Sequence, residues 1–247
     1  MTVHRLARPD DNYLCYHHTP GKENVPGVLF LGGFQSDMSG TKATALEKYA
    51  QQNHVPFTRF DYYGHGLSSG DFQKGTISRW LDDSLAIVDQ CKPEILIGSS
   101  MGAWIALLVA KIRPQIKTII TIAAAADFTE DLIWQKFTTT MKEELLQKNI
   151  YYLASDYDEK PQPITLQLIE DGRKHLLLRK PLALSVAIHL IHGMKDKDVP
   201  WQTSLKLLET ISNPNVKLTL IKGGDHRLAK PQHLDLLFSI LSAFIKP

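Results

Sequence analysis

Gly98-Ser99-Ser100-Met101-Gly102 fits the pattern Gly-x-Ser-x-Gly, and it directly follows the apolar run Ile95-Leu96-Ile97. A strand that ends in this pentapeptide and continues into a helix over residues 103–111 leaves the chain few choices. The serine must occupy a sharp turn above a sheet. Gly98 and Gly102 lack a β-carbon, which lets strand and helix approach each other around a strained residue. Ser100 is therefore a candidate nucleophile.

A serine hydroxyl is a poor nucleophile at neutral pH and needs a base, itself oriented by an acid. Candidates follow in the order serine, aspartate, histidine. Asp196 comes after the apolar run 186–191, within His192-Gly193-Met194-Lys195-Asp196. His226 follows the run 216–221, within Lys222-Gly223-Gly224-Asp225-His226-Arg227. His226 is read as the general base and Asp196 as the residue that fixes its tautomer. Asp198 and Asp225 compete for the acid role and are read as loop carboxylates. His192 is read as structural, and most of the ten histidines, such as His4, His17, His18 and His54, as surface residues. The oxyanion needs two backbone donors. These are expected to be the amides of Met101, next to the nucleophile, and of Phe34, in the loop after the strand 28–31.

At 247 residues and 43% apolar side chains, residues 1–247 suffice for one α/β domain. A net charge of +2 without a dense basic block gives no footprint for nucleic acid, and no apolar run reaches membrane-spanning length. Cys15 and Cys91 have neither metal nor redox spacing and suggest free thiols in a reducing compartment. The first residues, 1–12, read as neither a signal nor a transit segment, so the expected location is cytoplasmic. Neither a metal nor an organic cofactor is expected, because a triad and an oxyanion hole supply the whole mechanism. The expected partner is a small-molecule or acylated substrate, handled by a monomer or weak homo-oligomer.

Strands and helices alternate along most of the chain, implying a mostly parallel central sheet with helices on both faces. An antiparallel pair over 3–8 and 13–17 opens it. Strands at 28–31, 56–61, 95–97 and 118–122 follow, with helices over 41–52, 77–90 and 103–111 between them. Between residues 123 and 181 the alternation stops. That stretch holds helix-like pieces over 131–147 and 164–175, and a proline-flanked loop carrying Tyr151, Tyr152 and Tyr157. It is expected to be a helical cap insertion over the site. Trp134 and Phe137 within it, with Gly33 and Trp104, are the candidate lining of an acyl pocket.

The triad motifs resemble those of the α/β-hydrolase superfamily. The runs Gly32-Gly33-Phe34-Gln35-Ser36-Asp37-Met38-Ser39-Gly40-Thr41-Lys42, Arg59-Phe60-Asp61-Tyr62, Gly98 through Trp104, His192 through Asp196 with Val199-Pro200-Trp201, and Asp225-His226-Arg227 are similar, more narrowly, to the alpha/beta hydrolase domain-containing protein ten family. The resemblance runs from about residue 27 to the C-terminal helix. It implies the α/β-hydrolase fold and a serine esterase or thioesterase, since mitochondrial members are acyl-protein thioesterases that also cleave acyl glucuronide esters. Ser100, Asp196 and His226 fall on that family's triad positions. The cap is the least similar part, so the substrate does not carry over. A carbon-carbon bond hydrolase, an acyltransferase or a non-catalytic binding module on the same fold stay open. Aspartate-nucleophile chemistries are disfavoured by the serine at position 100.

Overall fold

The structure, a computed structural model, describes residues 2–154 and 161–245. Among them, eight strands form one sheet in the order β1-β2-β4-β3-β5-β6-β9-β10. The outer strands β1 (His4–Ala7) and β2 (Tyr13–Thr19) are antiparallel to each other, and β2 is antiparallel to β4 (Phe57–Phe60). All other pairings are parallel, through β3 (Val28–Leu31), β5 (Ile95–Ser99), β6 (Thr118–Ile122), β9 (Ala187–Gly193) and β10 (Val216–Ile221).

The central strands are apolar on both faces because both are covered. Leu29, Leu31, Leu96, Ile119, Ile188 and Leu190 point to one side and join one core cluster. That side is covered by α2 (Ile77–Cys91), α3 (Met101–Ile112) and α6 (Gln202–Thr210) through Trp80, Trp104 and Leu207. Val28, Phe30, Ile95, Ile97, Ile120 and Ile122 alternate to the other side. There they meet Leu46 of α1 (Thr41–Asn53) and Leu237 of α7 (Pro231–Ser242). Each fully buried aliphatic side chain contributes about 1.5–3 kcal/mol. The period-two alternation thus makes the sheet the shared floor of two cores.

The 123–181 stretch departs from its expected form. Instead of one helix over 131–147 there is a π-helical turn at Thr129–Ile133 and a 3₁₀ turn at Trp134–Lys136. Phe137 is extended (φ −67°, ψ 134°), and the chain restarts as α4 (Thr139–Lys148), where the Thr138 hydroxyl caps the Met141 amide. A capping threonine ahead of further β-branched residues divides what the apolar spacing alone makes look continuous. Tyr151 and Tyr152, expected in a loop, lie on β7 (Ile150–Leu153), antiparallel to β8 (Gln162–Thr165). Aromatic and β-branched side chains favour the pleated state, and Pro163 is tolerated in a two-stranded ribbon that leaves an edge unpaired. The helix expected over 164–175 is therefore shorter: α5 (Leu166–Gly172) begins only after β8. Tyr157 lies outside the described residues.

Side-chain bonds tie this stretch to the body. Both oxygens of the buried Asp127 carboxylate accept backbone amides, from Leu177 at 2.7 Å and Leu178 at 2.9 Å, joining its two ends. Asp171 accepts the Ser78 amide and hydroxyl at 2.7 and 2.8 Å, and His175 Nε2 lies 2.7 Å from the same hydroxyl. The start of α2 is thereby clipped to α5.

Candidate active site

Parallel strands deliver their C-terminal ends to one edge of the sheet, and Phe34, Ser100, Asp196 and His226 follow strands that end there. Ser100 follows β5 and is the N-cap of α3, with φ 55° and ψ −118°. This is a left-handed backbone that a residue with a β-carbon adopts only when its surroundings force it. The forcing is visible. A β-carbon on Gly98 would lie 2.4 Å from Gly102 O, and one on Gly102 would lie 2.2 Å from Leu31 O. The Ser100 amide donates to Ile122 O at 2.9 Å, fixing the turn to the neighbouring strand.

The Met101 amide, the first of α3, has no intrahelical acceptor by helix geometry. Gly33 runs above the serine, where a β-carbon added to it would sit 3.4 Å from Ser100 Cβ. The Phe34 amide carries no hydrogen bond among the described residues. The loop that holds it is pinned: the Gly33 amide donates to Ser36 Oγ at 3.0 Å, and Met38 is gripped from both sides. Asp61 Oδ1 accepts the Met38 amide at 2.6 Å, and Arg59 Nη1 donates to Met38 O. Arg59 also pairs with buried Glu47 at 2.8 Å. Burial pushes the Asp61 carboxyl up, against the hydrogen bonds from Leu67 and Met38 that lower it. The Arg59-Phe60-Asp61-Tyr62 motif is thus a clamp on the 33–40 loop.

Asp196 and His226 meet. β9 and β10 are parallel neighbours with Gly193 opposite Ile221, and the loops that follow are laced by Met194 N to Ile221 O and Lys195 N to Gly224 O. His226 Nδ1 lies 2.7 Å from Asp196 Oδ2. Asp196 Oδ1 accepts the amides of Asp198 and Val199, each at 2.9 Å, and Oδ2 also faces His192 Nε2 at 3.1 Å. Burial works to raise the Asp196 pKa, but the hydrogen bonds from His192, His226 and Val199 outweigh it and hold the carboxyl well below the ordinary carboxylate range. Asp196 is therefore an ionised acceptor. Asp198 Oδ2 stands farther off, 4.0 Å from His226 Nδ1, and accepts no hydrogen bond. Asp225 turns away to cap the Leu228 amide at 2.9 Å.

Among the described residues, no hydrogen bond joins the Ser100 hydroxyl to the His226 ring. Asp196, Asp198 and His226 also offer ligand-type atoms within 4.8 Å of one another. Since the Asp196 oxygens and His226 Nδ1 are engaged with hydrogen-bond partners, a cation would have to displace those bonds.

The candidate pocket residues scatter. Trp104 is buried on α3, with Nε1 donating to His175 O at 3.1 Å and its ring edge-on to Phe128 at 5.7 Å. Phe128 in turn lies 5.7 Å from Phe34, giving an aromatic chain between the elbow helix and the loop over Ser100. Phe137 packs on Tyr151 at 5.0 Å. The Trp134 ring instead carries two cations, Arg173 at 4.7 Å and Lys142 at 5.2 Å. Sequence reasoning missed Phe128, Asp61 and the contact of His192 with Asp196. For His192, a place four residues before Asp196 and next to the end of an apolar run signalled burial but not its partners.

A family model described as serine aminopeptidase, S33, matches residues 27–165. Palmitoyl-protein thioesterase ABHD10, mitochondrial, of Homo sapiens is 35% identical over 236 residues, spanning 94% of this chain and 76% of the relative. Its counterpart in Mus musculus is 36% identical over 246 residues, spanning 97% and 81%. Among solved structures, a putative hydrolase from Agrobacterium vitis S4 superposes with a TM-score of 0.94 at 39% identity over 99% of each chain. Mouse alpha/beta hydrolase domain-containing protein 10 gives 0.90 at 33% identity, over 99% of this chain and 98% of that one. The expectation of a cytoplasmic location is overturned by these relatives, which are named as mitochondrial. It rested on residues 1–12 reading as neither a signal nor a transit segment and on free thiols, and a reducing compartment can be either one. Among the described residues no helix is long and apolar enough to cross a membrane.

Proposed function

Because this chain belongs to the serine aminopeptidase S33 family of α/β-hydrolases, alongside the ABHD10 thioesterases, we propose that it hydrolyses acyl thioesters and esters through an acyl-Ser100 intermediate. The observation that carries this is the left-handed Ser100 backbone at the junction of β5 and α3, a strained turn held by the close approach of Gly98 and Gly102 to their neighbours. His226 takes the Ser100 proton as the hydroxyl attacks the acyl carbonyl. Asp196 keeps the Nδ1 proton directed at itself and stabilises the imidazolium that forms. The amides of Phe34 and Met101 receive the oxyanion. The imidazolium then protonates the leaving thiol or alcohol, and a water activated by the same ring releases the acid. The 123–181 stretch acts as the cap, and the relatives' name supports a long apolar acyl group bound beneath it, along the Phe34–Phe128–Trp104 chain.

Ser100→Ala tests this. The variant should fold with an unchanged unfolding midpoint, fail to react with a fluorophosphonate probe, and lose p-nitrophenyl ester and acyl-CoA turnover by at least about 1000-fold. Retention of more than about a tenth of wild-type turnover would remove Ser100 from the role. On a graded ester series, kcat/KM should rise with chain length, by at most about fourfold per methylene buried. Short esters as the best substrates would count against the acyl pocket.

A further inference from the structure

Asp196 is held by two histidines, and the roles proposed above use only one. His192 is the penultimate residue of β9, is fully buried, and has both ring nitrogens engaged. Its Nε2 faces two acceptors, Asp196 Oδ2 at 3.1 Å and Val199 O at 3.1 Å, so Nε2 carries the proton. Nδ1 is then a lone-pair acceptor, and Ser204 Oγ, at 2.6 Å on α6, donates to it. Ser204 is itself fully buried. A directed chain results: the Ser204 hydroxyl fixes the His192 tautomer, and His192 donates to the same carboxylate oxygen that receives His226 Nδ1–H.

We propose that His192 is a positioning residue for the reaction, holding Asp196 Oδ2 in the orientation that accepts the His226 proton, with Ser204 setting its tautomer. This rests on the roles given to Asp196 and His226. The geometry supports it in three ways. Asp196 sits in a loop, where a carboxylate can rotate about its side-chain torsions, and its Oδ1 is fixed only by amides of that same loop. His192 Nε2 is the donor that reaches Oδ2 from the rigid sheet rather than from a loop. A ring anchored by α6 at one nitrogen and by the acid at the other cannot swing away. An acid free to rotate would leave the imidazolium unsupported at the moment it forms, so the loss falls on turnover rather than on substrate binding.

The test compares His192→Phe, which fills the space without a donor, with His192→Gln, whose amide nitrogen can occupy the Nε2 position. Both are made in the wild-type and Asp196→Asn backgrounds and assayed on p-nitrophenyl butyrate, with unfolding midpoints measured in parallel. H192F should lower kcat about 10- to 100-fold, with KM changed less than about threefold, and H192Q should recover most of the loss. In the Asp196→Asn background, H192F should have almost no further effect, because the two residues act through one bond. A purely structural His192 would lower turnover in both backgrounds alike. That additive result overturns the proposal, as does wild-type kcat in folded H192F or no rescue by folded H192Q. If H192F does not fold, Ser204→Ala decides: kcat should fall about two- to tenfold in the wild-type background alone, and an unchanged value overturns the proposal. Ser100→Ala on the same ester separates the two levels. Full activity there defeats the triad itself, whereas an inactive S100A beside an unaffected H192F defeats only the role of His192.

Discussion

Two aspartates two residues apart show how environment, not residue type, sets a carboxylate's partners. Asp196 accepts four donors and is shielded from solvent, while the Asp198 side chain is partly exposed and its Oδ2 accepts no hydrogen bond. Asp196→Asn should cut kcat by about three to four orders of magnitude through loss of the His226 tautomer, and Asp198→Asn should cost less than about fivefold. Steady-state kinetics with the ranking reversed would move the acid to position 198. The placement of Ser100, Asp196 and His226 after strand ends was legible in the sequence because each follows an apolar run, and the turn chemistry that lifts a residue off a strand end is local. The engagement of His192 was not, since its partners Val199 and Ser204 come from a loop and a helix that only the fold brings round to β9. Trp134 has surroundings that its spacing alone did not specify. Named as a candidate for the acyl pocket, it packs partly buried against the core and also carries Arg173, distant in sequence, on its ring.

Between elements, α3 packs closely on the end of β3. A methyl group at position 102 would stand 2.2 Å from Leu31 O and 2.4 Å from Gly32 O, both backbone atoms that cannot move without displacing the loop leading to Phe34. Gly102→Ala should therefore destabilise the protein by about 2 kcal/mol or more and reduce turnover in whatever fraction folds. A wild-type unfolding midpoint with full activity would show that the two elements are less closely packed than described. Strands and helices of the sheet were readable because apolar runs bounded by glycine or proline carry their own period. The 123–181 stretch was not, because a π turn, a 3₁₀ turn and a capped restart share the spacing of one helix, and tyrosines read as loop residues find a pairing partner only in β8.

Across the whole molecule, pH acts on stability through a buried histidine. His65 is enclosed by the rings of Tyr62, Phe72 and Trp80. Burial drives its pKa down from 6.5 to about 4, against the opposing effects of Tyr63 O and Asp37. The folded state thus resists a proton that the unfolded chain accepts. The stability this provides is full above about pH 6.5 and drains away as pH falls toward about 4, at up to roughly 1.4 kcal/mol per unit. Replacing His65 with Asn removes this titration and keeps a donor toward Tyr63 O. The stability difference between wild type and His65→Asn, from urea unfolding at several pH values, should shrink as the solution is acidified. A difference constant from pH 7 to about 4.5 would mean that His65 titrates normally in the folded protein.

The bond between Asp127 and the amides of Leu177 and Leu178 has an implication for how such a protein can diversify. Because the detour between β6 and β9 is stitched shut where it begins and ends, the chain between those stitches can change sequence or length without moving the strands on either side. Grafting the corresponding stretch from a relative, with residues 127, 177 and 178 kept, should then transfer acyl preference while leaving the esterase scaffold and its unfolding midpoint intact. The detour behaves as an interchangeable cartridge seated in a fixed socket.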